Sequence, residues 1–237
     1  MEYFVQIGGK SFPVIVSKKK MVKVRLKVFP SNEIRLSAPL GTPDEWIQQF
    51  LVDKTAWIEK KLDLFSSTKA IEKEEHVFSG VSTRILGRQM TIQVCPAKGK
   101  RVSVDDTVLS LLTPETDQAK IDRQFNNWWQ KTAKLYYQTK LDQLYPIVEK
   151  HGVEKPAICV KKMKTLWGSC SRQKGKINLN FYLYKASVPC VEYVILHELA
   201  HFLYPHHDKD FYAFLTIYMP DWKERKQQLD YEFVLGI

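Results

Sequence analysis

The stretch from Pro189 to Tyr204-Pro205 constrains this chain more than any other. Val191, Tyr193, Val194, Ile195, Leu196, Leu199 and Ala200 make it apolar on nearly every side, so a helix here belongs in the core. Pro189 suits the first turn of that helix. Pro205 stops it, because proline has no amide to continue the hydrogen-bond ladder. Inside the run stands His197-Glu198-Leu199-Ala200-His201. Histidines at i and i+4 stack one turn apart on one helix face, where both imidazoles can reach a single ion. Glu198 then lies beside the ion rather than on it, placed to take a proton from an ion-bound water.

A histidine or glutamate on a buried helix is otherwise only a satisfied polar group. Two features point away from that reading: the helix stops at Tyr204-Pro205, and His206 and His207 follow at once, where the chain can fold back toward the ion. Three protein ligands plus an open position is the arrangement of a catalytic zinc. His207 stands six residues after His201, the spacing of the third ligand in metzincins. Those proteins carry glycine midway, where this chain has Tyr204, so membership of that group does not follow. Spacing favours His207, with His206 as the competitor.

Length allows one large domain or two small ones. Hydrophobic content of 44% and charged content of 26% are those of an ordinary globular protein. No apolar run approaches the roughly 18 residues of a membrane span. The start, Met1 to Ile7, alternates like a strand and does not read as a signal peptide. Cys95, Cys159, Cys170 and Cys190 are scattered without a C-x-x-C pair, which fits a reduced, cytoplasmic setting. The formal net charge of +10 is the one unusual quantity. Basic clusters fall at Lys18–Lys20 with Lys23, Arg25 and Lys27, at Lys161-Lys162-Met163-Lys164, and at Lys223 to Lys226. Solvated surface is the default for such runs; nucleic acid is compatible with them but not favoured.

The patterning is α+β. Strands are expected at Phe4–Ile7, Phe12–Val16, Val22–Val28 and Glu33–Ser37, with turns at Gly8-Gly9 and Pro30-Ser31-Asn32. One long helix follows from Thr42-Pro43, with Thr42 as cap, to about Phe65. A loop over Ser66–Glu75 precedes further strands from Val77 to Leu112. Composition then shifts: Ala119–Lys150 is a long amphipathic helix whose aromatic stripe reads as core. Pro156–Lys162 and Lys176–Phe181 read as strands flanking Trp167-Gly168-Ser169-Cys170. Asp208 and Asp221 are placed to cap two final helices. The expected division is a β-rich module over 1–115 carrying one long helix, and a metal-binding catalytic domain over 116–237. No internal repeat is evident.

The C-terminal half resembles the YgjP-like metallopeptidases, a branch of the zincin-fold peptidases. The resemblance rests on Met163-Lys164-Thr165-Leu166-Trp167-Gly168-Ser169-Cys170-Ser171, Ile177-Asn178-Leu179-Asn180, His197 to His201, His207 with Phe211, and Pro220-Asp221-Trp222. In outline it extends over the strands of the first half, Trp57-Ile58 and Leu86-Gly87-Arg88. It implies a zincin-like domain with Zn2+ held by His197, His201 and His207, and Glu198 as general base. One departure is visible: Leu166 stands where the family often has arginine. If that arginine serves substrate or charge, its role here is lost or passes to a neighbour such as Arg172 or Lys164. A weaker similarity reaches SprT-like proteases, which act on DNA-bound proteins.

The expected function is therefore a zinc-dependent hydrolase, a peptidase that attacks peptide or protein substrates with a zinc-bound water activated by Glu198. Ile177 to Asn180 could offer an edge for an extended peptide, or be a plain core strand. Tyr204, Tyr212, Asn180 and Arg172 are unranked candidates for oxyanion stabilisation. Asp208, Asp210 and Asp221 could orient the ligand histidines. Ser169 and Cys170 are not needed as nucleophiles; a Gly-Ser turn placing a strand beside the metal is the simpler role. Two alternatives stand beside this reading. One is a metal-dependent phosphoanhydride or nucleotide hydrolase; the other is a nucleic-acid-associated module with a structural or vestigial zinc site.

Overall fold

Alternation sets the first strands. The computed structural model describes residues 3–29, 32–67, 76–163 and 166–232. Pro30-Ser31 of the expected turn at 30–32, residues 68–75 of the expected loop at 66–75, Lys164-Thr165 and Phe233 lie outside the described residues. The chain divides into two compact units, residues 1–71 with 231–237, and residues 72–230.

In the first unit, β1 (Tyr3–Ile7), β2 (Lys10–Lys19), β3 (Arg25–Val28) and β4 (Ile34–Pro39) form a sheet of order β1-β2-β4-β3. The central β2–β4 pair is parallel and the outer pairs are antiparallel. Tyr3, Val5, Val14, Ile34, Leu36 and Ala38 all point to one face. They form a core with Ile47 and Leu51 of α1 (Asp44–Asp53) and Ile58 and Leu62 of α2 (Thr55–Ser67). The single helix expected here is two. The hydroxyl of Thr55 donates to the Leu51 carbonyl at 3.1 Å, the back-bonding that competes with the helical ladder and bends it. Pro43, not Thr42, occupies the cap position of α1.

The second unit opens with β5 (Ser82–Ile85), β6 (Arg88–Pro96), β7 (Arg101–Asp105) and β8 (Val108–Thr113), in the order β5-β6-β8-β7. Again the central pair is parallel and the outer pairs antiparallel. The strand topology of the first unit thus recurs, a structural repeat that the sequence does not display. At the β5–β6 turn Leu86 and Gly87 both have positive φ, 52° and 83°. Their amides donate to the carbonyls of Tyr184 and Lys185 at 2.9 and 3.1 Å, tying the hairpin to the segment that leads into the apolar helix.

Next comes α3 (Gln118–Leu144), followed by the short α4 (Pro146–Glu149). The aromatic stripe is core, as its spacing indicated: Phe125, Trp129, Ala133, Tyr137 and Leu141 are buried. Trp129 Nε1 donates to the Phe181 carbonyl (2.9 Å) and Tyr137 Oη to the Asn180 carbonyl (3.1 Å), so neither polar atom is orphaned. A third sheet, ordered β10-β11-β9, is built from β9 (Ala157–Lys161), β10 (Gly168–Ser171) and β11 (Lys176–Asn180). Of the two roles open to Ile177–Asn180, peptide-binding edge or core strand, the sheet order gives the second, since β11 is the central strand. The helices α5 (Val188–Ala200), α6 (Lys209–Tyr218) and α7 (Trp222–Glu232) complete an α+β architecture.

Candidate metal site

The apolar helix α5 runs through the core, with Val191, Ile195, Leu196, Leu199 and Ala200 fully buried. Burial on all sides fixes its rotation and therefore the one face that carries His197 and His201, whose ring centroids are 4.9 Å apart. The helix ends at Ala200, and the amides of Leu203 and Tyr204 return to the Ala200 carbonyl, turning the chain back. Asp208 then caps α6, its carboxylate accepting from the Phe211 amide at 3.0 Å. Between turn and cap, His207 comes to lie 4.8 Å from His197 and 4.7 Å from His201, ring to ring.

Nitrogens of His197, His201 and His207 all lie within 4.8 Å of one another, and His207 Nε2 is 2.9 Å from His197 Nε2. His206, one residue away, is exposed and outside this cluster. Each of the first two rings is oriented from behind. Nδ1 of His201 contacts the Tyr204 carbonyl (3.0 Å), and Nδ1 of His197 faces the Tyr193 hydroxyl (3.5 Å). An Nδ1–H given to a carbonyl leaves Nε2 as the free lone pair, the usual way a ligand imidazole is fixed. Phe211, fully buried, sits under all three rings at centroid distances of 4.9, 4.8 and 4.8 Å. Burial, followed by the charges of His201, His207 and Lys226, pulls the His197 pKa down to about 3. His201 is lowered too, chiefly by burial. Three converging imidazoles, with His197 and His201 disfavoured from protonation by burial, are a donor set that fits a divalent transition metal.

Glu198 is 5% exposed. Burial pushes its carboxyl up to about 8, against the lowering effect of a hydrogen bond from the Cys170 amide. The carboxylate rests on β10 at Gly168, where a Cβ would stand 2.6 Å from Oε1 and 2.7 Å from Cγ. Glycine is thus required by close approach, and the Trp-Gly-Ser-Cys segment places a strand beside the site. Burial and the nearby Glu198 charge push the Cys170 thiol up to about 12, so it is neither a ready nucleophile nor, by position, part of the imidazole cluster.

Beside Glu198 opens a cleft of about 340 Å³. Leu166, Trp167, Tyr193, Val194 and Leu229 give it apolar walls, and Lys226 paired with Asp230 lies at its margin. None of Tyr204, Tyr212, Asn180 or Arg172 lines it. Asn180 is structural, its amide donating to the carbonyls of Met163 (2.9 Å) and Leu166 (2.7 Å). Among the described residues no carboxylate bonds to a ligand imidazole: Asp208 caps α6, Asp210 stands in its first turn, and Asp221 accepts from Arg225 at 2.9 Å. The sequence reading missed Tyr193 as a partner of His197, though it stands four residues earlier on the same helix face. It also missed Lys226, Leu229 and Asp230, which no local pattern connects to α5.

Two imidazoles and a buried glutamate from one apolar helix, with a third imidazole from the turn that follows it, define a candidate metal centre with a carboxyl group beside it. The family model described as YgjP-like, metallopeptidase domain, matches residues 22–232, and the chain belongs to that family. Membership brings a metal cofactor and a peptidase class of activity, acting on peptide or protein substrates. Comparison with curated proteins and with solved structures gave no match. Among the described residues, no helix is long and apolar enough to cross a membrane.

Proposed function

We propose that this chain is a zinc-dependent peptidase of the zincin-like type, in which His197, His201 and His207 hold the ion and Glu198 is the general base. The observation that carries this reading is the buried Glu198 carboxylate, pressed on Gly168 and opening into a cleft beside three converging imidazoles. His201 would bind through Nε2, since Nδ1 is engaged by Tyr204. When bound, zinc supplies Lewis acidity, lowering the pKa of a coordinated water to about 7 and polarising a carbonyl. Glu198 takes the proton of the attacking water and delivers it to the leaving amine; a carboxyl titrating near neutrality suits both transfers.

Substrate alignment falls to β10, the outer strand of the sheet that carries Gly168 against Glu198. The Asn180 amide donates to the Trp167 carbonyl at 2.8 Å, so by antiparallel alternation Ser169 and Ser171 bond inward. Gly168 and Cys170 direct their backbone groups outward, toward Glu198 and an extended peptide. Every residue of the site falls within 116–237, the proposed zincin-like catalytic domain, while 1–115 supplies two four-stranded sheets. A reducing, cytoplasmic setting accords with four cysteines that form no disulfide among the described residues.

The test is a mass-spectrometric search for new N-termini in a denatured protein mixture incubated with zinc-loaded wild type or with Glu198→Gln. Termini unique to the wild type are expected. Identical sets would overturn the peptidase reading and direct attention to phosphoanhydride substrates.

A further inference from the structure

The face of the first sheet that points away from its helices carries a charge pattern that folding does not require. Strand register sorts the residues. Ile15, Arg35 and Lys27 form one cross-strand row, Ser17, Ser37 and Arg25 the next, and Lys19 with Pro39 a third; Phe4 and Pro13 pair at the other end. The opposite side chains, Val14, Leu36 and their neighbours, form the core. Charge follows the same division along the chain. Residues 1–39 hold eight lysines and arginines against two glutamates, whereas residues 44–67, the two helices, hold five acidic residues against three basic. The net positive charge of this unit is therefore a property of its strands.

Two further observations distinguish the face from ordinary solvated surface. Phe4 is 50% exposed and Ile15 53% exposed, apolar side chains set among the cations. Among the described residues, Lys19, Arg25 and Lys27 have no acidic partner; Arg35 alone is paired, with Glu33, and lies over the Phe29 ring at 5.1 Å. In the row that ends at Arg25 the hydroxyls of Ser17 and Ser37 meet at 3.2 Å, small groups able to donate. Rows two residues apart along a strand repeat about every 7 Å. A sheet face bearing exposed apolar side chains, unpaired cations and hydroxyls matches a sugar-phosphate backbone with unstacked bases.

We propose that this outer face, centred on Ser17, Arg25, Lys27 and Ser37, binds single-stranded nucleic acid, with cations on phosphates and Phe4 against a base. The proposal does not depend on the peptidase reading, since none of these residues lines the metal cleft.

The test is fluorescence anisotropy of a labelled twelve-nucleotide single strand, as DNA and as RNA, with the full-length protein. A hairpin duplex and a poly-glutamate peptide serve as competitors. The double variant Arg25→Glu/Lys27→Glu is compared with Lys131→Glu/Lys134→Glu, which changes net charge equally on exposed positions of α3. Binding to the single strand is expected at low salt, falling about tenfold or more between 50 and 200 mM salt. The sheet variant should lose at least about tenfold in affinity, the helix variant less than about threefold, and Phe4→Ala should weaken the single strand more than the duplex. The neutral pair Arg25→Gln/Lys27→Gln, checked for an unchanged melting curve, repeats the comparison without charge reversal. Absence of binding at 50 mM salt overturns the proposal, as does equal loss in both double variants. Competition by poly-glutamate as strong as by the single strand would make the face a site for acidic protein instead.

Discussion

Gly168 and Glu198 occupy space that only a residue without a side chain can share: a Cβ on the strand residue would overlap the carboxylate at 2.6 Å from Oε1. The strand and the apolar helix are therefore fitted to each other at the Glu198 carboxylate. Gly168→Ala should displace the carboxylate by roughly an ångström. Misplacement on that scale costs about a hundredfold in rate, while overpacking costs about 1–3 kcal/mol in stability. Turnover measured well below the melting temperature should fall far more than the folded fraction does.

The third ligand can be tested by metal affinity alone. His207→Ala should weaken zinc binding by about a hundredfold or more, because a three-imidazole site loses a donor. His206→Ala should stay within about threefold, since that side chain is exposed and outside the cluster. Titration calorimetry with a competing chelator measures both, and the opposite ranking would reassign the ligand.

Phe211 supports all three imidazoles at once, so its loss should register in stability and in metal binding together. Phe211→Ala should cost about 3–5 kcal/mol, as truncation of a buried aromatic does. Phe211→Leu should cost less and keep the zinc, at reduced affinity. Denaturant unfolding of the metal-free protein isolates the packing effect from the metal's own contribution.

Glu192 links three helices, accepting from Lys140 of α3 at 2.8 Å and from Arg225 of α7 at 2.9 Å. Burial raises its pKa, but the two hydrogen bonds and the two charges outweigh it and leave the carboxyl below its ordinary 4.5. The unfolded chain then binds the proton more readily than the folded one. This contribution to stability is complete above pH 4.5 and is lost as pH falls through the lowered value. Glu192→Gln should destabilise at neutral pH by on the order of 1–2 kcal/mol, since the carboxylate keeps some solvent contact. It should also flatten the acid limb of stability against pH. Chemical unfolding of both proteins from pH 3 to 7 checks the slope.

Local patterns were legible in the sequence. The His197-to-His201 face, the core stripe from Phe125 to Leu141 and the Asp208 cap each depend on residues within two or three turns of one another. What depends on pairing between distant strands was not. Ile177–Asn180 reads equally as an edge or a core strand until β10 and β9 are seen on its two sides. The recurrence of one strand order in two sheets leaves no trace in residue identity, because register is set by alternation rather than by particular side chains. The break at Lys54 escaped for another reason: it comes from a threonine hydroxyl, not from a glycine or proline. Lys226 and Leu229 enter the cleft only because α7 packs beside α5.

The central claim is that Glu198 moves protons and does not hold the ion. Its most direct test is single-substrate turnover of Glu198→Gln on a peptide that the wild type cleaves, with the zinc content of both proteins measured on the same samples. Equal zinc with kcat lower by about a thousandfold is the predicted result. Wild-type turnover by the zinc-loaded variant would contradict it.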